Sequence, residues 1–196
     1  IRPSRGLGDV YKRQDQDDWD KLLEATSRMM EAPLLIDDQS GISPNHIRKV
    51  ARQAKEEYPD LGMIIVDYLQ LMQSSRQQNS REQEIADISR SMKAIAKEFN
   101  LPVIALSQLN RDLERRADKR PMMSDLRESG ALEQDADLIL FIYRDEIYNS
   151  ESEDKNIAEI NLAKHRNGEI GGCRLAFIGQ YTKFANLALG NDPAMP

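Results

Sequence analysis

The stretch Gly62-Met63-Ile64-Ile65-Val66-Asp67-Tyr68 constrains this chain more than any other. A short, continuous run of apolar and β-branched residues ends in a single carboxylate and follows the chain break Pro59-Asp60. That is the pattern of a strand buried on both faces in a parallel sheet. Two more runs of the same kind follow, at 101–106 and 137–143, and a helical pattern separates the first run from the second. Strand, helix and buried strand in alternation predict a parallel α/β sheet with right-handed crossovers. Near the end, residues 157–164, 173–178 and 182–187 read as further strands, the last two a hairpin closed near Gly179-Gln180. The fold class expected is α/β: a mostly parallel sheet flanked by helices, with a C-terminal antiparallel β extension.

Local signals mark the other elements. Residues 15–32 predict a helix, with Trp19, Leu22, Leu23, Met29 and Met30 at helical spacing and acids in the first turn. Residues 33–38 read as a short apolar strand. Ser43-Pro44 supplies an N-cap and a proline for the first turn of a helix running to about Tyr58. After a polar loop at 73–79, Ser80 with Gln83 forms a capping box. The helix it opens carries Ile85, Ile88, Met92, Ile95, Ala96 and Phe99 on one stripe. Residues 124–135 are polar, with short helical turns at most. Residues 1–14 show no periodicity and fit nothing that follows, so they are expected to be a foreign or disordered leader. One partial domain is expected over 15–189, truncated on its N-terminal side, and a loose tail over 190–196.

Composition narrows the setting. The 196 residues suffice for one domain with a real core. No stretch reaches the ~20 apolar residues of a membrane helix, and the start lacks the apolar segment of a signal peptide. A single cysteine, Cys173, forbids an internal disulfide, and His46 and His165 stand too far apart to suggest zinc. A cytoplasmic setting without membrane attachment is expected. A net charge of -6 argues against coating nucleic acid by bulk charge, so any such contact must come from a local basic patch.

Four places carry candidate chemistry. Asp67 would stand at the carboxyl end of its strand, where open α/β sheets bind ligands. A carboxylate there can hold magnesium through water while the ion clamps nucleotide phosphates, the Walker-B arrangement; it can equally cap the next turn. Gln108 follows the second run as Asp67 follows the first, so neighbouring strands would bring both to one edge. Its amide could report nucleotide state or only bond its own loop. Arg111, Arg115, Arg116, Lys119 and Arg120 are interleaved with acids, suiting either a phosphate backbone or a solvated helix face with ion pairs. Asp125-Leu126-Arg127-Glu128-Ser129-Gly130 is a polar run in which Gly130 permits a positive φ or a close backbone approach, to phosphate among other groups. Lys164 and Arg166 lie two apart at a strand end and point the same way, a pair suited to an anion, while Asn167-Gly168 closes a turn beside them.

Taken together, residues 64–72, 105–111, 124–137 and 164–168 closely resemble bacterial replicative DNA helicases of the DnaB type, in order and across about 15–187. The resemblance implies the C-terminal RecA-like motor domain of a ring-shaped homo-hexamer that moves on single-stranded DNA using ATP and Mg2+. It implies a primase and a helicase loader as partners. By the resemblance, Asp67 is the Walker-B carboxylate and metal site, and Gln108 senses the γ-phosphate. Arg127, Glu128 and Gly130 hold the DNA backbone, and Lys164 and Arg166 reach the neighbouring subunit's ATP. No G-x-x-x-x-G-K-[ST] loop occurs in this sequence. In the family that loop, the catalytic glutamate and the primase-meeting domain lie upstream. The chain alone is therefore expected to lack ATPase activity. The alternatives are a RecA-like ATPase without unwinding, or a non-catalytic assembly fragment.

Overall fold

The computed structural model describes residues 16–74 and 78–187, with the side chains of 16–18 and 127–129 outside that description. The expected leader at 1–14 and tail at 190–196 both lie outside the described residues. The chain divides into two units, 1–39 and 40–196.

In the first unit, helix α1 (Gln16–Glu31) forms where the apolar spacing predicts it. The strand expected at 33–38 does not form. The segment has no regular secondary structure. Apolar character favours a strand, but a ladder needs a neighbour to satisfy its backbone.

The second unit opens with helix α2 (Pro44–Glu57). Ser43 accepts the His46 amide at 3.3 Å, and Ile47 and Ala51, one turn apart, turn inward. Helix α3 (Arg81–Phe99) begins at Ser80, whose hydroxyl accepts the Gln83 amide at 3.3 Å. Gln83 reaches back to the Asn79 amide rather than that of Ser80, so the expected box is offset by one residue. Asn100 ends the helix in the left-handed region, φ 50°, with its amide on the Ala96 and Lys97 carbonyls. Arg48 and Arg52 both reach Glu98, at 2.7 and 2.9 Å, tying α2 to α3.

The expected stripe on α3 is the centre of the core. Ile85, Ile88, Met92 and Ile95 pack with Ile47, Val66, Leu69 and Met72. Ile88 and Ile95 are fully buried. Each such side chain stabilises the fold by about 1.5–3 kcal/mol, so this stripe seats α3 on the sheet.

Strands β1 (Ile64–Val66) and β2 (Val103–Ala105) pair in parallel, Ile64 opposite Val103 and Val66 opposite Ala105, with α3 as the crossover. After the short helix α4 (Gly130–Asp135) come β3 (Leu138–Tyr143), β4 (Ile157–His165), β5 (Gly171–Ile178) and β6 (Lys183–Asn186), an antiparallel sheet in sequential order. A three-residue 3-10 turn, Gly179–Tyr181, closes the β5–β6 hairpin where expected.

The strand pattern departs from expectation in two ways. β3 pairs antiparallel with β4 instead of joining β1 and β2, so the parallel part is one pair and the antiparallel part four strands. Nor are the apolar runs covered on both faces. In β3, Ile139, Phe141 and Tyr143 are buried while Leu138, Leu140 and Ile142 are exposed. Ile65 and Ile104 are likewise exposed on the parallel pair. A continuous apolar run shows that a strand can be buried on both sides; what lies against each side is set elsewhere in the chain. Among the described residues no helix is long and apolar enough to cross a membrane.

Candidate functional site

The parallel pair sets two predicted residues at one edge. The Leu106 amide donates to the Val66 carbonyl at 2.9 Å and the Leu69 amide to that of Leu106 at 3.0 Å, carrying the pairing just past the strands. Asp67 and Gln108 both emerge there, at the carboxyl end of the sheet, with exposed side chains. The Asp67–Tyr68 peptide is cis.

Gln70 joins the two strand ends, and sequence reasoning did not single it out. Its side-chain oxygen accepts the Gln108 amide at 3.2 Å, and its nitrogen donates to the Ser107 hydroxyl at 3.1 Å and the Gln108 carbonyl at 3.3 Å. The main chain of Gln108 is thereby fixed against the segment that follows Asp67. Arg81, at the start of α3, donates to the Gln70 carbonyl at 2.6 Å and pairs with Glu84. The Ser74 amide, and then Arg81, hold the Glu84 carboxyl below the usual carboxylate range. A cavity of about 130 Å³ lies here, lined among others by Gln70, Arg81, Gln108, Asn110 and Asp125. The only local hint of Gln70 was its place two residues beyond Tyr68.

The basic stretch is largely built into the fold. Arg116 grips the buried carboxylate of Asp125 through two bonds of 2.9 Å, and the Met122 amide adds a third at 2.8 Å. Arg120 makes a two-pronged pair with Glu159 of β4 at 2.9 and 2.8 Å and lies 4.9 Å from the Tyr143 ring centre. Arg115 pairs loosely with Asp112 at 3.6 Å. Neither expected picture holds for Arg116 and Arg120, because their partners are 9 and 39 residues away rather than on one helix face.

Residues Met123–Ser129 form 3-10 turns that lead into α4. Gly130 opens α4 at φ -53°, ψ -24°, so the positive φ its sequence allowed is not used. Among the described residues, nothing lies within 4 Å of where a Cβ would sit. Within the described residues, then, the fold does not require a glycine here. The side chains of Arg127 and Glu128 lie outside the described residues.

Lys164 and Arg166 converge at the other end of α4. Lys164 Nζ donates to the Glu133 carbonyl at 2.5 Å and to that of Gln134 at 3.4 Å, and Arg166 Nη2 reaches the Gln134 carbonyl at 3.4 Å. Cations are favoured at a helix C-terminus, where carbonyls are unpaired. Arg166 also pairs with Asp137 at 3.0 Å. A Cβ at Gly168, in the turn beside them, would lie 2.3 Å from the exposed His165 ring, so the ring would have to move if Gly168 were replaced.

The residues present suit part of a nucleotide site. Among the described residues no group of three or more His, Cys, Asp or Glu could hold a metal by itself. A single exposed carboxylate such as Asp67 fits magnesium, which keeps several waters and binds with one or two carboxylates plus substrate phosphates.

Residues 9–186 match the family described as the DnaB-like helicase C terminal domain. The chain belongs to this family. The match begins at residue 9, inside the segment expected to be a foreign leader. The chain is 55% identical over 193 residues to the replicative DNA helicase DnaB of Pasteurella multocida, covering 98% of this chain and 40% of that protein. It is 54% identical over 179 residues to the DnaB of Geobacillus stearothermophilus, covering 91% of this chain and 39% of that one. The chain thus spans about 40% of the length of these relatives. A solved structure described as an ATPase domain superposes with a TM-score of 0.87 at 47% identity, over 91% of this chain and 63% of that one. A DnaB-like replicative helicase, solved in a study of its interactions with primase, also scores 0.87, at 46% identity over 93% of this chain and 44% of that chain. These neighbours make the DnaB-like fold RecA-like α/β, with the β1–β2 pair as its parallel part here.

Proposed function

We propose that the chain is part of a replicative DNA helicase that couples ATP hydrolysis to movement along single-stranded DNA and to duplex unwinding. The observation that carries this reading is the parallel β1–β2 pair, which sets Asp67 and Gln108 at one carboxyl edge. Family membership and identity above 50% to proteins named replicative DNA helicase support it. In this reading the complete protein is a cytoplasmic homo-hexamer that works with a primase and a loader. Asp67 holds water-coordinated Mg2+ beside the phosphates, and Gln108, fixed by Gln70, touches the γ-phosphate. Bound Mg2+ neutralises charge on the phosphates of ATP. Lys164 and Arg166 serve the nucleotide of the next subunit. The test is strand separation of a forked duplex by the complete protein. ATP-dependent unwinding is expected, and Asp67→Asn should cut turnover by on the order of 10² or more while leaving the ring intact. ATP hydrolysis without unwinding would favour a non-helicase RecA-like ATPase, and neither activity an assembly role.

The DNA assignment has its own prediction. Gly130→Ala places a methyl in open space at a right-handed φ, so the melting temperature should stay within about 2 °C, since alanine is no worse than glycine in a helix. If the backbone at Gly130 meets DNA phosphates, the same change should weaken single-strand binding several-fold for every sequence alike. Arg127→Ala should weaken it too, and lower the salt dependence by about one counterion. Unchanged affinity for both variants would remove this segment from the DNA interface.

A further inference from the structure

Arg166 is an exposed side chain that the reading above asks to meet a phosphate on another subunit. A free arginine has many rotamers, and holding it in one geometry has an entropic cost. The structure contains a device that does so. Asp137 lies between α4 and β3, and its carboxylate faces two cations. One oxygen accepts from Lys93 of α3, and the other pairs with Arg166 Nε at 3.0 Å. The Asp137 carbonyl also accepts the Arg166 amide at 2.9 Å, so main chain and side chain are held at once. Lys93 is mostly covered, and one turn before it Ser89 donates to Asp135 at 2.8 Å. Helix α3 therefore anchors both Asp135 and Asp137. Contact with Asp137 engages Nε, and Nη2 makes only a long bond of 3.4 Å to the Gln134 carbonyl.

We propose that Asp137 is a positioning residue: braced by Lys93, it holds Arg166 by the Nε edge so that the Nη side is presented to a phosphate held by a second subunit. Lys93 is the main reason that the Asp137 carboxyl sits below the usual carboxylate range, with Arg166 and Lys164 adding to it. The brace is thus charged at neutral pH. The bland alternative is a surface ion pair that adds a little stability. Asp137 and Arg166 are 53% and 48% exposed, and pairs that exposed contribute little to folding. The two roles therefore predict different results.

The inference rests on Arg166 acting at a neighbour's nucleotide, and the test separates the two claims. It uses the complete hexameric protein with Asp137→Asn, Arg166→Ala and the double variant. Asp137→Asn should lower kcat for ATP by roughly 10- to 100-fold, because small misplacements of a catalytic group cost that much, with KM within about twofold and the melting temperature within about 2 °C. Asp137→Glu, which keeps the charge, should recover part of kcat. The double variant should be no slower than Arg166→Ala alone, because Asp137 acts through Arg166. If Asp137→Asn keeps the original kcat while Arg166→Ala is slow, the positioning role is overturned and the finger stands. If the two losses multiply in the double variant, Asp137 acts by another route. If Arg166→Ala itself retains full turnover, the finger reading fails, and the inference with it.

Discussion

Replacing Arg166 with alanine in the complete protein is expected to lower ATP turnover by on the order of 10³ or more, as the loss of other arginine fingers does. Negative charge builds on the transferred phosphoryl group, and a guanidinium already in place stabilises it without reorganisation. Nucleotide binding and ring assembly should persist. Arg166 bonds only to Asp137 and to the Gln134 carbonyl among the described residues, both at the surface. Arg166→Lys should remain slow, since an ammonium cannot reproduce a guanidinium held by one edge. Action across a subunit interface is checked by mixing. Subunits lacking Arg166 and subunits lacking the upstream phosphate-loop lysine are each inactive alone. Mixed rings should regain activity, because one kind of interface joins an intact loop to an intact finger. No recovery in rings shown to be mixed would place Arg166 outside the neighbour's site.

The second large effect concerns folding. Arg116→Ala should destabilise this domain by about 3–5 kcal/mol, because it leaves the carboxylate of Asp125 buried without its cation. Asp125 is 7% exposed and, among the described residues, would keep only the Met122 amide. For a domain of this size, that is a fall of roughly 6–20 °C in its melting transition. The pair need not add net stability against an apolar replacement, so Arg116→Met with Asp125→Leu should recover much of the loss. Because the Asp125 carbonyl accepts the Asn110 amide at 3.0 Å, the single variant should also loosen the loop after Gln108. Faster amide exchange at 110–126 would show it. A loss below about 1 kcal/mol would mean that water reaches Asp125 easily.

Much of the candidate site was legible in the order of residues. Asp67 and Gln108 each follow an apolar run, and strands that are parallel neighbours must bring such residues to one edge. Lys164 and Arg166 share a strand face by the two-residue period, and they meet at the Gln134 carbonyl. Gln70 and Asp137 were not legible. Nothing in their neighbours along the chain shows that one will tie two strand ends together or that the other will stand between Lys93 and Arg166.

The division follows the range of the forces. Periodicity, caps and turn residues act within a few positions, so α1, α2, α3 and the β5–β6 hairpin could be placed from residues alone. Asn167-Gly168 marked the β4–β5 turn, where a Cβ on Gly168 would displace the His165 ring. Pairing and coverage depend on what arrives from far along the chain. That is why 33–38 forms no strand, why β3 joins β4 rather than the parallel pair, and why one face of β3 is exposed. It is also why two of the five basic residues between 111 and 120 became internal braces. A guanidinium does not reveal whether it will meet phosphate or carboxylate; only the fold, by bringing Asp125 to Arg116 and Glu159 to Arg120, decided that.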